Sequence, residues 1–135
     1  MTGISRTRSI LIVDDEPAIT ETLSLIFSGH GYEVRAAHSA EAAIETIAAW
    51  EPDLAILDVN LPQMNGIELA VLLQANRPGC RLVLFSGHPG TQALMEEAAK
   101  KGNMFEILSK PVHPLFMLDY VSSLFAEPRT RLMHG

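Results

Sequence analysis

Three carboxylates, a hydroxyl and an ammonium group stand out in this chain because each follows an apolar run. "SILIV" at 9–13 leads into Asp14 and Asp15, "DLAIL" into Asp58, "RLVLF" into Ser86 and "FEILS" into Lys110. Carboxylates gathered at one place repel one another and disfavour their own ionisation. Such a cluster destabilises a fold unless a cation sits with it. A hard divalent ion such as Mg2+ takes oxygen ligands and keeps several waters while a few carboxylates hold it. A lysine and a hydroxyl beside that ion complete what a phosphoryl group needs, since phosphoryl transfer is mostly positioning and charge neutralisation. A carboxylate can also be the nucleophile and form an aspartyl-phosphate. Asp58 is the best candidate for that role, because it ends a central strand, and Asp14 and Asp15 are better placed as metal ligands. Taken singly, Asp14 and Asp15 could cap the following helix, Ser86 is an ordinary strand-end serine, and Lys110 is a solvated lysine. The five together favour the metal and phosphoryl reading.

The elements that must position these groups alternate along the chain. "SILIV" (9–13) is an uninterrupted aliphatic run, as a strand buried on both faces requires. Pro17 suits the first turn of a helix, and Ile19, Leu23, Ile26 and Phe27 form one helical stripe that Gly29 and Gly31 end. "YEVRAA" (32–37) reads as an edge strand, and Ser39 can cap a second helix with Ala40, Ala43, Ile44 and Ile47 inward. "DLAILD" (53–58) is a third strand. Asn65 followed by Glu68 marks the start of a third helix. "RLVLFS" (81–86) is a fourth strand and "GTQALMEEAAKKGN" a fourth helix, stopped by Gly102. "MFEILSK" (104–110) is a fifth strand, and a last helix runs from Pro114 to Phe125, with Leu118, Val121, Leu124 and Phe125 inward and Met117 beside them. Strands alternating with helices imply right-handed crossovers and a parallel, doubly wound α/β sheet. Ligands of such sheets bind at the carboxyl ends of the strands, which is where all five groups fall.

The 135 residues fit one domain. No apolar run approaches the ~20 residues of a membrane span, and "MTGISRTRS" lacks the apolar stretch of a signal peptide. The single cysteine, Cys80, excludes an internal disulfide framework. These features together suggest a cytoplasmic protein. From Ser9 to Glu127 there are six basic residues against sixteen acidic ones. That body is a poor match for a nucleic-acid backbone. Arg6, Arg8, Arg129 and Arg131 lie in the expected tails, 1–8 and 127–135, around a domain at 9–126. The five histidines show no metal-ligand spacing. His88, two residues past Ser86, is the one placed to shape access to the site.

The segments "VDDEP", "LDVNLPQMNG", "FSG" and "SKP", in that order and on those elements, give the chain a close likeness. It resembles a receiver domain of two-component response regulators from about Ser9 to Phe125. The resemblance implies a flavodoxin-like fold, a doubly wound five-stranded parallel sheet with five helices in strand order 2-1-3-4-5. It implies that Asp58 accepts phosphate from a histidine kinase or phosphotransfer protein. Asp14, Asp15 and Asp58 would hold Mg2+ together with the backbone carbonyl of Asn60. Ser86 would hydrogen-bond the phosphoryl oxygens, Lys110 would pair with them, and a cis Lys110–Pro111 bond would place the lysine. Asn60 also stands where a side chain tunes hydrolysis. The enzymatic part would be confined to the domain's own phosphorylation and dephosphorylation.

The pattern departs from the family at Ile107, where many receivers carry an aromatic residue that changes rotamer on phosphorylation. Isoleucine is stiff at χ1 and has no ring to swing, so the signal is expected to leave through loop and helix repacking. Phe116 and Tyr120 fall outside the inward stripe of the last helix, four residues apart and therefore adjacent. Partial burial against the fourth helix and a contact patch for a downstream partner or a second copy are both open for them. The chain runs about ten residues past the last helix, so a receiver without an output domain is expected. A scaffold that works without phosphorylation and an Mg2+-dependent phosphatase with an aspartyl nucleophile are the rival readings. Against the phosphatase, Asn60 stands where such enzymes carry a second acid.

Overall fold

The computed structural model describes residues 7–87, 91–102, 105–110 and 112–126. The strands are β1 (Ser9–Val13), β2 (Glu33–Ala37), β3 (Leu54–Asp58), β4 (Arg81–Ser86) and β5 (Glu106–Ser109). The helices are α1 (Pro17–Gly29), α2 (Ala40–Ile47), α3 (Gly66–Asn76), α4 (Thr91–Lys100) and α5 (Pro114–Ala126). The strands form one parallel sheet in the order β2-β1-β3-β4-β5, as expected. The chain reverses its winding between β1 and β3, and that switch point opens the crevice at their carboxyl ends.

The period of two along each strand divides the core. Leu11, Val13, Ala55 and Leu57 pack with Ala43 and Ile47 of α2 and Leu69 and Leu73 of α3. Ile10, Ile12, Leu54, Ile56, Val83 and Phe85 pack on the other face with Leu23 and Phe27 of α1 and Met117, Leu118 and Val121 of α5. Burying one such side chain contributes about 1.5–3 kcal/mol, so both helical layers are held firmly to the central strands. The edge strands β2 and β5 carry exposed residues, including Glu33 and Glu106.

Local signals set the helix starts. Pro17 occupies the first turn of α1. Ser39 Oγ accepts the Ala42 N–H at 3.0 Å. Asn65 and Glu68 form a reciprocal capping box, at 2.8 Å and 2.9 Å. Asp14 and Asp15 do not cap α1, whose N-cap position is Glu16. The third strand starts at Leu54, one residue later than expected, although the Asp53 N–H still bonds to Ser9 O and its carboxylate accepts the Ser9 N–H. Thr20 is buried within the α1 stripe, its hydroxyl donating to the Pro17 carbonyl at 3.1 Å and lying 3.0 Å from His38 Nε2. In α5 the inward stripe is centred on Met117, Leu118 and Val121, while Leu124 and Phe125 are only partly buried. Arg8, assigned above to the tail, has its guanidinium over the Phe125 ring and its carbonyl bonded to the Glu33 N–H. His88, Met104 and the Lys110–Pro111 peptide bond lie outside the described residues, as do residues 1–6 and 127–135.

Candidate functional site

The sheet register converts four separate segments into one rim. Val13 pairs with Leu57, Asp58 with Phe85, and Ser86 with Ser109. The ladder continues just beyond the strands, with Asp14 N–H bonded to Ala37 O, Val59 N–H to Phe85 O, and Lys110 N–H to Ser86 O. These bonds set the side chains of Asp14, Asp58, Ser86 and Lys110 at the same end of the sheet.

One carboxylate oxygen from each of Asp14, Asp15 and Asp58 lies within 4.8 Å of the others. Asp14 is fully buried and Asp58 is 3% exposed. Lys110 Nζ donates to Asp14 Oδ2 at 3.0 Å and to Asp58 Oδ2 at 3.3 Å. Its ammonium also lies 4.6 Å from the centre of the Phe85 ring and 3.9 Å from Glu16 Oε1. The remaining oxygens are steered by backbone: Asp14 Oδ1 accepts the Glu16 N–H at 2.9 Å and Asp58 Oδ1 the Asn60 N–H at 3.0 Å.

The charges do not balance within this group. Burial pushes the Asp58 carboxyl above its ordinary 3.8, and the neighbouring Asp14 adds to that, against the Asn60 N–H and Lys110. Burial works against the Lys110 ammonium, but the hydrogen bond to Asp14 and the charges of Asp58 and Asp14 outweigh it and raise its pKa. The lysine is therefore held charged, while one buried carboxylate is held in a site that resists its charge. The donor set fits Mg2+: all ligands are hard oxygens, and opposite ligands of an octahedral ion at ~2.1 Å are about 4.2 Å apart, compatible with the spacing of the three carboxylates.

Of the residues singled out in the sequence, Asp14, Asp15, Asp58 and Lys110 come together directly. Ser86 sits on the same rim, but its hydroxyl is directed to the Asn60 side chain, at 2.7 Å. Ile107 is 39% exposed on β5, and Phe105 packs partly buried toward the α2–α3 layer. Phe116 is 55% exposed, and its ring stacks on Tyr120 with centroids 6.4 Å apart. The Tyr120 hydroxyl donates to Glu106 Oε1 at 3.3 Å, so Tyr120 is anchored to β5 within this surface.

Three participants were not assigned from sequence. Phe85 and Glu16 flank the ammonium. Gly66, the first residue of α3, lies so close under the β3 end that a Cβ there would overlap the Asp58 carbonyl oxygen and come within 2.8 Å of Val59 Cα. Its N–H bonds to Val59 O at 2.9 Å. The glycine after "QMN" is the one signal that could have found it, since glycine permits close backbone approach.

A sequence profile of the response regulator receiver domain matches residues 10–122. The chain is 36% identical over 104 residues to the nitrogen assimilation regulatory protein NtrX of Azorhizobium caulinodans, covering 76% of this chain and 22% of that protein. It thus spans about a fifth of that relative's length. Among solved structures it resembles a CheY-like response regulator receiver domain from Methanospirillum hungatei, with a TM-score of 0.80, 27% identity, and coverage of 96% of this chain and 100% of that one. It also resembles the response regulator TrrA from Thermotoga maritima in complex with Mg2+ and beryllofluoride, with a TM-score of 0.74, 26% identity, and coverage of 87% and 99%.

Proposed function

The chain belongs to the response regulator receiver domain family, and on that premise we propose that Asp58 is its phosphoacceptor, taking a phosphoryl group from a histidine kinase or phosphotransfer protein. One observation carries the reading: the Asp14, Asp15 and Asp58 carboxylates converge within 4.8 Å, with Lys110 Nζ at 3.0 Å and 3.3 Å from two of them. A carboxylate oxygen of Asp58 forms the new bond to phosphorus as the bond to the donor's imidazole nitrogen breaks, and the electron pair leaves with that nitrogen. Lys110, held charged, neutralises the phosphoryl oxygens. Ser86 donates a hydrogen bond to one of them. Asp14, Asp15 and Asp58 would hold Mg2+, with the Asn60 backbone carbonyl as a further ligand; the ion, when bound, neutralises charge on the transferring group.

Modification at Asp58 then changes partner binding. The face from α4 through β5 to α5, with Phe116 and Tyr120, is the proposed contact surface for a downstream protein or a second copy. The acidic body argues against nucleic acid as a partner of the domain, and among the described residues no helix is long and apolar enough to cross a membrane. We place its work in the cytoplasm.

Intact-mass measurement after treatment with acetyl phosphate and Mg2+ tests the proposal. The wild type should gain one phosphoryl group and the Asp58→Asn variant none. An unmodified wild type favours a phosphorylation-independent scaffold. Equal labelling of the variant moves the acceptor elsewhere, and turnover of a generic phosphomonoester favours a phosphatase.

A further inference from the structure

Ser86 ends β4 with its side chain buried, 7% exposed, and its hydroxyl donates to Asn60 Oδ1 at 2.7 Å. Asn60 is itself tied to the acceptor, since its N–H donates to Asp58 Oδ1 at 3.0 Å. A serine hydroxyl has a single proton to donate. While that proton points at the Asn60 carboxamide, it cannot serve an oxygen carried by Asp58. We propose that the Asn60 side chain is a positioning residue that holds Ser86 back in the unmodified protein, competing with the phosphoryl group for the same hydroxyl.

This inference rests on the phosphoacceptor reading above. It gives Asn60 two separable parts. Its backbone belongs with the ligands of the site, and its carboxamide opposes the movement of Ser86. Deleting the carboxamide removes the acceptor of that proton from the resting state, which loses the net contribution of one hydrogen bond. The ligand-bound state, in which Ser86 turns to the new acceptor, is spared that loss. The balance therefore shifts toward the bound form.

The test is beryllofluoride titration in excess Mg2+ of the wild type, Asn60→Ala, Ser86→Ala and the double variant. Asn60→Ala should bind roughly 2–10-fold tighter than wild type, the span a net neutral hydrogen bond allows. Ser86→Ala should bind more weakly, and in that background Asn60→Ala should have no further tightening effect. Asn60→Ala binding no tighter than wild type, or tightening equally without the Ser86 hydroxyl, overturns the inference and leaves the phosphoacceptor reading standing. A wild type that does not bind beryllofluoride overturns both. A second readout needs neither metal nor ligand: in the metal-free protein, Ser86→Ala should shift the Asn60 side-chain amide resonances in a 1H–15N spectrum. Resonances that stay in place overturn the competition directly.

Discussion

The residue proposed to accept phosphate should be a source of instability in the metal-free protein. Asp58 is 3% exposed, and its pKa is raised from 3.8 chiefly by burial, with Asp14 adding to it. Burying an ion costs several kcal/mol. Lys110 at 3.3 Å returns part of that, about 5 kcal/mol at an effective dielectric constant of ~20, but it is shared with Asp14 at 3.0 Å. The raised pKa means that the opposing contributions leave the charged form disfavoured. Replacing Asp58 with asparagine keeps the shape, removes the charge, and leaves Lys110 to Asp14. The Asp58→Asn variant should therefore be more stable than wild type at neutral pH in EDTA, by on the order of 1 kcal/mol. Between 3.8 and the raised value the folded protein binds more protons than the unfolded chain, so wild-type stability falls as pH rises through that window. The advantage of the variant should thus be full above the window and shrink as pH is lowered toward 3.8. Urea unfolding of both proteins across that range measures it, and groups titrating in both cancel in the difference. Added Mg2+ should stabilise the wild type more than the variant, by preferential binding to the folded state. A variant less stable at neutral pH, or a difference that does not change with pH, would refute the reasoning.

Other perturbations separate the supports of the site. Gly66→Ala places a methyl group against the Asp58 carbonyl and Val59; it should lose about 1–3 kcal/mol and slow acetyl phosphate labelling, whereas Gly29→Ala, with nothing within 4 Å, should gain about 0.4–1 kcal/mol. Asn65→Ala removes the side-chain acceptor of the Glu68 N–H at 2.8 Å and should lower urea-unfolding stability by about 1 kcal/mol. Replacing Phe116 and Tyr120 together with serine should weaken association with a partner or second copy while acetyl phosphate labelling continues at the wild-type rate; unchanged association in sedimentation and partner binding would remove that face from the proposal.

Much of the fold was legible because it is written in short-range pattern. The segments at 9–13 and 81–86 coincide with β1 and β4 at both ends, since the apolar interior of each, Ile10–Val13 and Leu82–Phe85, has no polar interruption. The Asn65–Glu68 capping box is a four-residue signal and formed as such. Where pattern misled, tertiary contact had altered the preference. Asp53 stands just before β3 with its carboxylate accepting the Ser9 N–H, and Thr20, not part of the expected stripe, is buried with its hydroxyl bonded to Pro17 O and close to His38. Met117 took a central place in the core because a flexible thioether fills irregular gaps.

The amino-acid order alone determined that carboxylates, a hydroxyl and a lysine would end four of the five strands, since periodicity and chain direction place strand ends on one rim. Only the tertiary structure decided how they partner. Lys110 bridges to Asp14 across 96 residues and to Asp58 across 52, and Ser86 turns to Asn60 across 26. Gly66 slides beneath the Asp58 carbonyl. Contacts at such separations follow from sheet register and helix packing, which no local run of residues encodes; a hydrogen bond is made or missed by tenths of an ångström that only the packed fold supplies.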